Sequence, residues 1–474
     1  MFLHQVDSTS NLSKYNGVTN ILYYIREVDM SLYVIINLLI LIFLSLIFKS
    51  LSILIMGIVG IFLVTYLTNK TKLKFNRLLY IIFIISIIAM LMIYFGNIQK
   101  YGTPYISGGS DDLAFETYSK YILDKGYLIP EQYIKDPLLS FHNSKGFLWI
   151  LSWIMRIVEP FGGYHTIAFR VLNINLLIAI GILTTSFFKE NYGFNDNKNA
   201  IILIALTLFP NALYISVHVF RDTLIIFLLF VVFYIWDIFL KRKKYNFIRL
   251  FKIISMTLVI SYISYWIRNQ SILFIFAIVL VSILVNERTL SLKNFGFFIL
   301  LLFISMIIAE IFDLFDMIIA FNERYSIHKL RMGEGLSNII FRMPLFPFGI
   351  FIRFAYGLVT PIPIPILNIA KMFSDIIVFF DVIVSFGTVI QILLLPYLIK
   401  NIKRIDKVFI IFVIFMLGIV ITTFTFRHFI MLYPFMFILI FRQLFITKRT
   451  NRVLLLVFMS TCIVFASSVY LIIK

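Results

Sequence analysis

Four short polar stretches interrupt an otherwise apolar chain, and their residue types are those that hold cations and anions. GGSDDLAFETYSKYILDKG, residues 108–126, opens on two glycines and a serine and carries adjacent carboxylates at Asp111 and Asp112. HVFRDT holds His218, Arg221 and Asp222, YWIRNQS holds Arg268 and Asn269, and TFRHF holds Arg427 and His428. Carboxylate oxygens suit Mg2+ or Mn2+. Charged groups near membrane depth are costly, and they usually face a site or a partner. Each group also has a plainer reading. Arg221 and Asp222 fit a local cap, with Asp222 near a helix N-terminus where the dipole favours it. Arg427 could snorkel to headgroups, and Arg268 beside Trp266 fits an interfacial anchor.

The elements that must position these residues are membrane helices. Of 474 residues 61% are apolar, against about 45–50% in ordinary soluble domains, and the mean hydropathy is +0.98. Long apolar windows almost free of charge are the mark of spanning helices. Spans are expected at roughly 31–48, 51–68, 79–97, 165–187, 199–217, 221–240, 253–267, 271–285, 294–312, 376–398, 408–426, 428–446 and 453–473, about 13 in an all-α polytopic protein. The N-terminal region lacks the basic start and cleavage site of a signal peptide. The net charge of +19 comes from 42 Lys and Arg against 23 Asp and Glu. It is spread over short loops, and no basic soluble domain is present to bind nucleic acid. The one cysteine, Cys462, excludes an intrachain disulfide.

Alternate loops are basic: Lys70 to Arg77, Lys241 to Lys252, Lys400 to Lys407, and Arg442 to Arg452. The positive-inside bias puts these in the cytoplasm together with the N-terminus. Segments 98–164 and 313–375 then become two long extracytoplasmic loops, and all four polar stretches fall at the outer leaflet. Five segments follow: 1–78 with the first two spans, a core over 79–240, central spans over 241–312, the loop 313–375, and C-terminal spans over 376–474.

After the aspartates the pattern predicts an amphipathic helix along the membrane, capped by Ser110 or Asp111. Ala114, Tyr118, Tyr121 and Ile122 would share a face, and Glu116 would pair with Lys120. Adjacent residues on a helix point about 100° apart, so the two carboxylates do not share one task. A second interfacial or re-entrant helix over 146–159 carries Trp149, Trp153 and Arg156. The loop 313–375 contributes Arg324, His328, Lys329, Arg331, Arg342 and Arg353 around apolar segments broken by Pro344 and Pro347. Cations on such a surface suit a lipid phosphate or other anionic headgroups.

No Walker loop, dinucleotide fingerprint or HExxH occurs, and the six histidines show no metal spacing. Any group transfer therefore calls for an activated donor that lives in the membrane. In order and sidedness, SGGSDDLAFETYSKYI, AFRVLNINLLIAIGIL, LFPNALYISVHVFRDTLIIFLLF, TPIPIP and FRHFIMLYPF resemble segments of the bacterial GT-C-type membrane glycosyltransferases. They also resemble the overlapping O-antigen and capsule polysaccharide polymerases. The likeness covers roughly 79–240 and, more loosely, 340–445. It implies a polyprenyl-(pyro)phosphate-linked sugar donor and a glycan or lipid-linked acceptor. It also implies membrane lipids and other polysaccharide-assembly membrane proteins as partners. Asp111 or Asp112 would be the general base, with a pKa raised by burial. Arg221, Arg268, Arg342 and Arg427 would offset phosphate charge, supported by Asp222, His218 and His428. No cofactor is firmly implied beyond a candidate Mg2+ or Mn2+. The reaction would be repeat-unit polymerisation or single-sugar transfer at the outer face of the cytoplasmic membrane. The polymerase form would put arginines, not a carboxylate base, at the centre. A lipid-linked oligosaccharide flippase is the alternative; it needs functional charge within spans, for which Glu310, Asp375 and Asp381 are the candidates.

Overall fold

The computed structural model describes residues 30–285 and 319–473, apart from 74, 110, 134, 140–143, 242–246, 321–322, 324–325, 328–335, 364–368, 404 and 423–425. The expected span 294–312, Glu310 and the loop cations Arg324, His328, Lys329 and Arg331 lie outside the described residues. Every regular element described is helical. In lipid the helix satisfies its own backbone, which is why the apolar runs take this form.

Seven helices are long and apolar enough to cross a membrane, or eight if a bent pair counts as one span. The first three are α2 (Ser52–Thr71), α3 (Asn76–Tyr101) and α6 (Thr166–Tyr192). They are followed by α9 (Asp222–Leu240), α10 (Phe247–Ile267) and α14 (Ile376–Ile399). The last is Phe426–Ile446, which begins as a 3-10 segment, Phe426–Leu432, and continues as α16 (Tyr433–Ile446). The bent pair is α7 (Asp196–Thr207) and α8 (Pro210–Ser216), angled by 55° where Pro210 starts the second piece. Shorter apolar helices, α1 (Met30–Ile47), α11 (Ser271–Leu284) and α15 (Lys407–Thr422), match three more expected spans. The final helix, α17 (Arg449–Ile473), covers the last one. The chain is thus a multi-pass membrane protein.

The hub is α6, buried almost continuously from Thr166 to Phe188. It packs on α2, α3, α7, α8, α9 and α16. Small residues let such helices approach closely. A Cβ on Gly60 would stand 2.6 Å from the Asn175 side chain across the α2–α6 seam. Helix α9 runs parallel to α6, since Asn173 donates to the carbonyls of His218 and Phe220 just before α9, while Ser186 bonds Tyr234 near the other end. Helix α10 returns antiparallel to α9, with Trp236 bonded to Thr257 and Arg221 to the Ile267 carbonyl.

Two helices outside the spans cover one end of this bundle. They are α4 (Asp111–Asp124) and α5 (Lys145–Val158), which pack on each other. The turn before α4 needs its glycines, because Gly108 and Gly109 have φ of +83° and +132°. The buried face of α4 is Asp112, Phe115, Glu116, Ser119 and Ile122, one register step from the apolar face expected. Glu116 is drawn inward by two tyrosines, so the expected Glu116–Lys120 pair does not form. Trp149 and Trp153 both donate to the Leu128 carbonyl, at 2.7 and 3.0 Å, and so pin the stretch after α4 to α5.

In the second long segment, α12 (Leu336–Arg342) breaks at Pro344, and a π-helical turn, Leu345–Gly349, leads into α13 (Ile350–Leu358). Arg353 is not a surface cation. It is buried, with Nη2 3.3 Å from the Met343 carbonyl and its guanidinium 4.7 Å from the Phe341 ring centre.

Helix α5 reaches α10 because residue 146 has no side chain. A Cβ there would lie 2.4 Å from Trp266 Cβ and 2.5 Å from its backbone carbon. Gly146→Ala should therefore part α5 from α10 at a cost of about 1–3 kcal/mol, the usual range for overpacking. The check is a lower melting temperature of the detergent-solubilised protein, relative to a control substitution at exposed Lys120.

Candidate functional site

Asp222, at the start of α9, is a fully buried charge at this end. Three groups from two distant segments converge on it. Arg268, from the turn after α10, donates from Nη1 to Oδ1 at 3.3 Å. Arg427 brings Nε within 3.0 Å of Oδ2, and His428 brings Nε2 within 3.7 Å of Oδ1. Arg427 then reaches outward, its Nη1 donating to Asp111 Oδ2 at 2.6 Å. Its guanidinium also lies 4.6 Å from the Phe220 ring centre. Asp111 is 59% exposed, whereas Asp222 is not exposed at all. One guanidinium therefore bridges an interior carboxylate and a surface one.

Asp222 does stand in the first turn of α9, as the cap reading expected, but Arg221 makes no side-chain cap bond and turns elsewhere. Its Nη1 donates to the Ser144 hydroxyl at the start of α5 and to the Ile267 carbonyl at the end of α10. Its guanidinium lies 5.8 Å from the Phe115 ring centre on α4. Burial, then the neighbouring Arg268, pushes the Arg221 guanidinium down to about 9, with Asp222 acting the other way. At that value it remains a cation at neutral pH. Arg268, expected as an interfacial anchor, is only 2% exposed and is an internal partner of Asp222. Arg342 is exposed at the C-terminus of α12 and makes none of these contacts.

The second carboxylate of the opening motif faces a different environment. Asp112 is fully buried; its Oδ2 accepts from the Ile106 N–H at 3.0 Å and lies 3.7 Å from His218 Nδ1. Burial would raise its pKa, but His218, the Ile106 N–H and Arg170 outweigh burial and hold the carboxyl below its usual value. Burial pushes the His218 ring below its usual value, against the pull of Asp112. The pair is an anion beside a neutral imidazole, which fits a positioning role for α4. The expectation of a buried base with a raised pKa therefore meets neither residue: Asp111 is exposed and Asp112 is held acidic.

A third group was missed in the sequence. Glu116 accepts from Tyr105 Oη at 2.6 Å and Tyr164 Oη at 3.1 Å. Arg170, fully buried on α6, donates from Nη2 to the Pro104 carbonyl at 2.7 Å. Burial pushes Glu116 above its usual value, offset only in part by the hydrogen bond from Tyr105 and by Arg170. Beside them His165 caps α6 by accepting the Ile167 N–H on Nδ1 at 3.3 Å. That bond requires a neutral ring, and burial, then Arg170, pushes His165 down to about 4. The available signal was Arg170 itself, an arginine in an apolar helix. Glu116 was hidden by its spacing to Lys120.

The two aspartates diverge, Asp111 to Arg427 and Asp112 to His218 and Ile106. Among the described residues no three His, Cys, Asp or Glu gather as a metal site. The pair therefore does not fit a shared Mg2+ or Mn2+. At the other end of the bundle the buried acids are paired: Asp237 binds Lys241 and Lys407, and Arg442 binds Asp406 and Asn401. Compared with known proteins, the chain matches no family model, no curated protein and no solved structure.

Asp222→Asn should be the most damaging change here. It leaves buried cations without their anion, at a cost of about 3–5 kcal/mol. Asp111→Asn, at an exposed pair, should cost no more than about 1 kcal/mol. Thermal melts of the two purified variants test this ordering. Glu116 supplies a pH dependence. Its folded-state pKa is raised, so its contribution is fully present below the ordinary Glu value and is lost as pH rises through the folded value. The wild-type melting temperature should fall more steeply across that window than that of Glu116→Gln. Equal slopes would show that Glu116 is not the titrating group.

Proposed function

We propose that this chain is a membrane glycosyltransferase of cell-surface polysaccharide biosynthesis. It would act at the outer face of the bacterial cytoplasmic membrane on polyprenyl-(pyro)phosphate-linked sugars. The observation that carries this reading is the Asp111–Arg427–Asp222 bridge, with Arg268 and Arg221 beside it. An exposed carboxylate and several guanidinium groups share one end of the bundle. These are the two functions that glycosyl transfer from a lipid phosphate requires.

In this reading the acceptor hydroxyl attacks the anomeric carbon, and the bond from that carbon to the phosphate oxygen breaks. Asp111 accepts the hydroxyl proton, and the polyprenyl (pyro)phosphate leaves with the bonding electrons. Arg427 is held between two carboxylates until phosphate arrives. A guanidinium that exchanges Asp111 for a phosphate oxygen both binds the leaving group and frees the base. Arg268 and His428 keep Asp222 occupied meanwhile, and Arg221 ties α5 to α9 and α10. The predominance of arginines favours repeat-unit polymerisation over single-sugar transfer. Orientation and span number belong to the same reading: the Asp237 end cytoplasmic, the Asp222 end outside, and about 13 spans counted from the sequence.

The test is complementation of a deletion strain, with surface polysaccharide and lipid-linked intermediates resolved on gels. Asp111→Asn should accumulate single lipid-linked repeat units and reduce long chains by roughly 10²-fold or more, the scale of a lost general base. Its membrane level should match wild type. Full complementation by Asp111→Asn would overturn the proposed role. Complete units held on the cytoplasmic side would indicate a flippase.

A further inference from the structure

At the end of the bundle remote from Asp222, helices α2, α6, α9 and α10 do not close on one another. Between them lies a cavity of about 910 Å3, near the top of the range of about 300–1,000 Å3 usual for ligand pockets. Its walls are apolar: Leu63 and Leu67 from α2, Phe227, Leu228 and Val231 from α9, Ile253 from α10. Along α9 the lining runs from Phe227 to Phe239, about 18 Å at 1.5 Å per residue. The cavity is therefore elongated along α9. Trp236, hydrogen-bonded to Thr257 at 3.0 Å, fixes α10 against α9 beside it.

The charge lies at one mouth. Lys70 at the C-terminal end of α2, with Arg249 and Lys252 in the first turns of α10, are exposed and line the opening. The one acid in the lining, Glu190, has its Oε1 taken up by Tyr234 at 3.0 Å and Ser186 at 3.3 Å. Three cations against one engaged carboxylate leave the mouth positive. Protein interiors close-pack, and a gap of this size facing a bilayer is filled by hydrocarbon. An apolar slot as long as a fatty chain, with cations at its headgroup end, is complementary to an anionic lipid.

We infer that this cavity is a binding site for one anionic phospholipid, its chain between α9 and α10 and its phosphate against Lys70, Arg249 and Lys252. The site is separate from the Asp222 cluster and does not rest on the glycosyl-transfer reading. Occupancy would brace α10, which the Trp236–Thr257 bond ties to α9 and the Arg221–Ile267 bond ties to the residue that starts α9.

Native mass spectrometry of the full chain in detergent tests this, with phosphatidylglycerol and phosphatidylcholine of identical chains as probes. Wild type should bind a first phosphatidylglycerol at least about tenfold more tightly than phosphatidylcholine, the scale on which a few interfacial cations select anionic lipid. Lys70→Ala/Arg249→Ala/Lys252→Ala, confined to exposed side chains, should abolish that preference. Leu228→Trp, which fills the slot and leaves the cations in place, should lose the first bound lipid of either kind. Equal binding of the two lipids by wild type would overturn the inference. So would a preference surviving the triple variant, tight binding retained by Leu228→Trp, or competition by glycerol phosphate as strong as that by the whole lipid.

Discussion

A single buried carboxylate governs the polar end of this protein. Taking Asp222 out of water costs several kcal/mol unless opposite charge comes with it. The compensation arrives from the turn after α10 and from the segment that starts α16, 46 and more than 200 residues farther along the chain. The ion cluster therefore acts as a tie among helices whose apolar surfaces would tolerate many arrangements. Helix packing in lipid has no strong hydrophobic drive of its own. Polar contacts that can be satisfied in only one geometry set the register instead. Arg221 extends the tie to the covering layer by binding Ser144 and the Ile267 carbonyl from one nitrogen.

The covering layer depends on that tie and on close backbone approach. Helix α4 is held from below by Asp112 and Glu116 and from the side by α5, while Gly146 lets α5 settle on Trp266. The result divides two adjacent carboxylates between two environments. One belongs to the interior and keeps a helix in position; the other stands at the surface beside an arginine that has a second partner. A 100° turn between neighbours on a helix suffices for this separation.

Much of this was legible in the sequence, because hydropathy and helical period are local properties. The α4 and α5 helices, the break at Pro344, the glycine turn before Asp111 and most of the described spans follow from short windows. The gathering of Asp111, Asp222, Arg268, Arg427 and His428 at one end followed from loop charge alone. What the sequence could not give was pairing at long range. Arg268 looked like an anchor because its partner lies 46 residues away. Glu116 appeared to be satisfied by Lys120, since helical spacing offers a nearby cation but says nothing of Tyr105 and Tyr164 across the fold. The basic loops read as pure topology, yet Lys241, Lys407 and Arg442 also neutralise interior acids.

The hydrogen bonds of Trp149 and Trp153 to one carbonyl have an optical consequence. Of the four tryptophans in the chain, these two lie on the covering layer, and Trp266 lies where that layer meets the bundle. Only Trp236 reports on the far end. Indole emission is sensitive to hydration and to the partner of its N–H, so two of the four indoles report directly on the layer above the Asp222 cluster. Lifting of that layer would appear as a change in emission while the helical far-ultraviolet signal stays constant. The protein thus carries a native spectroscopic probe of access to its own polar face.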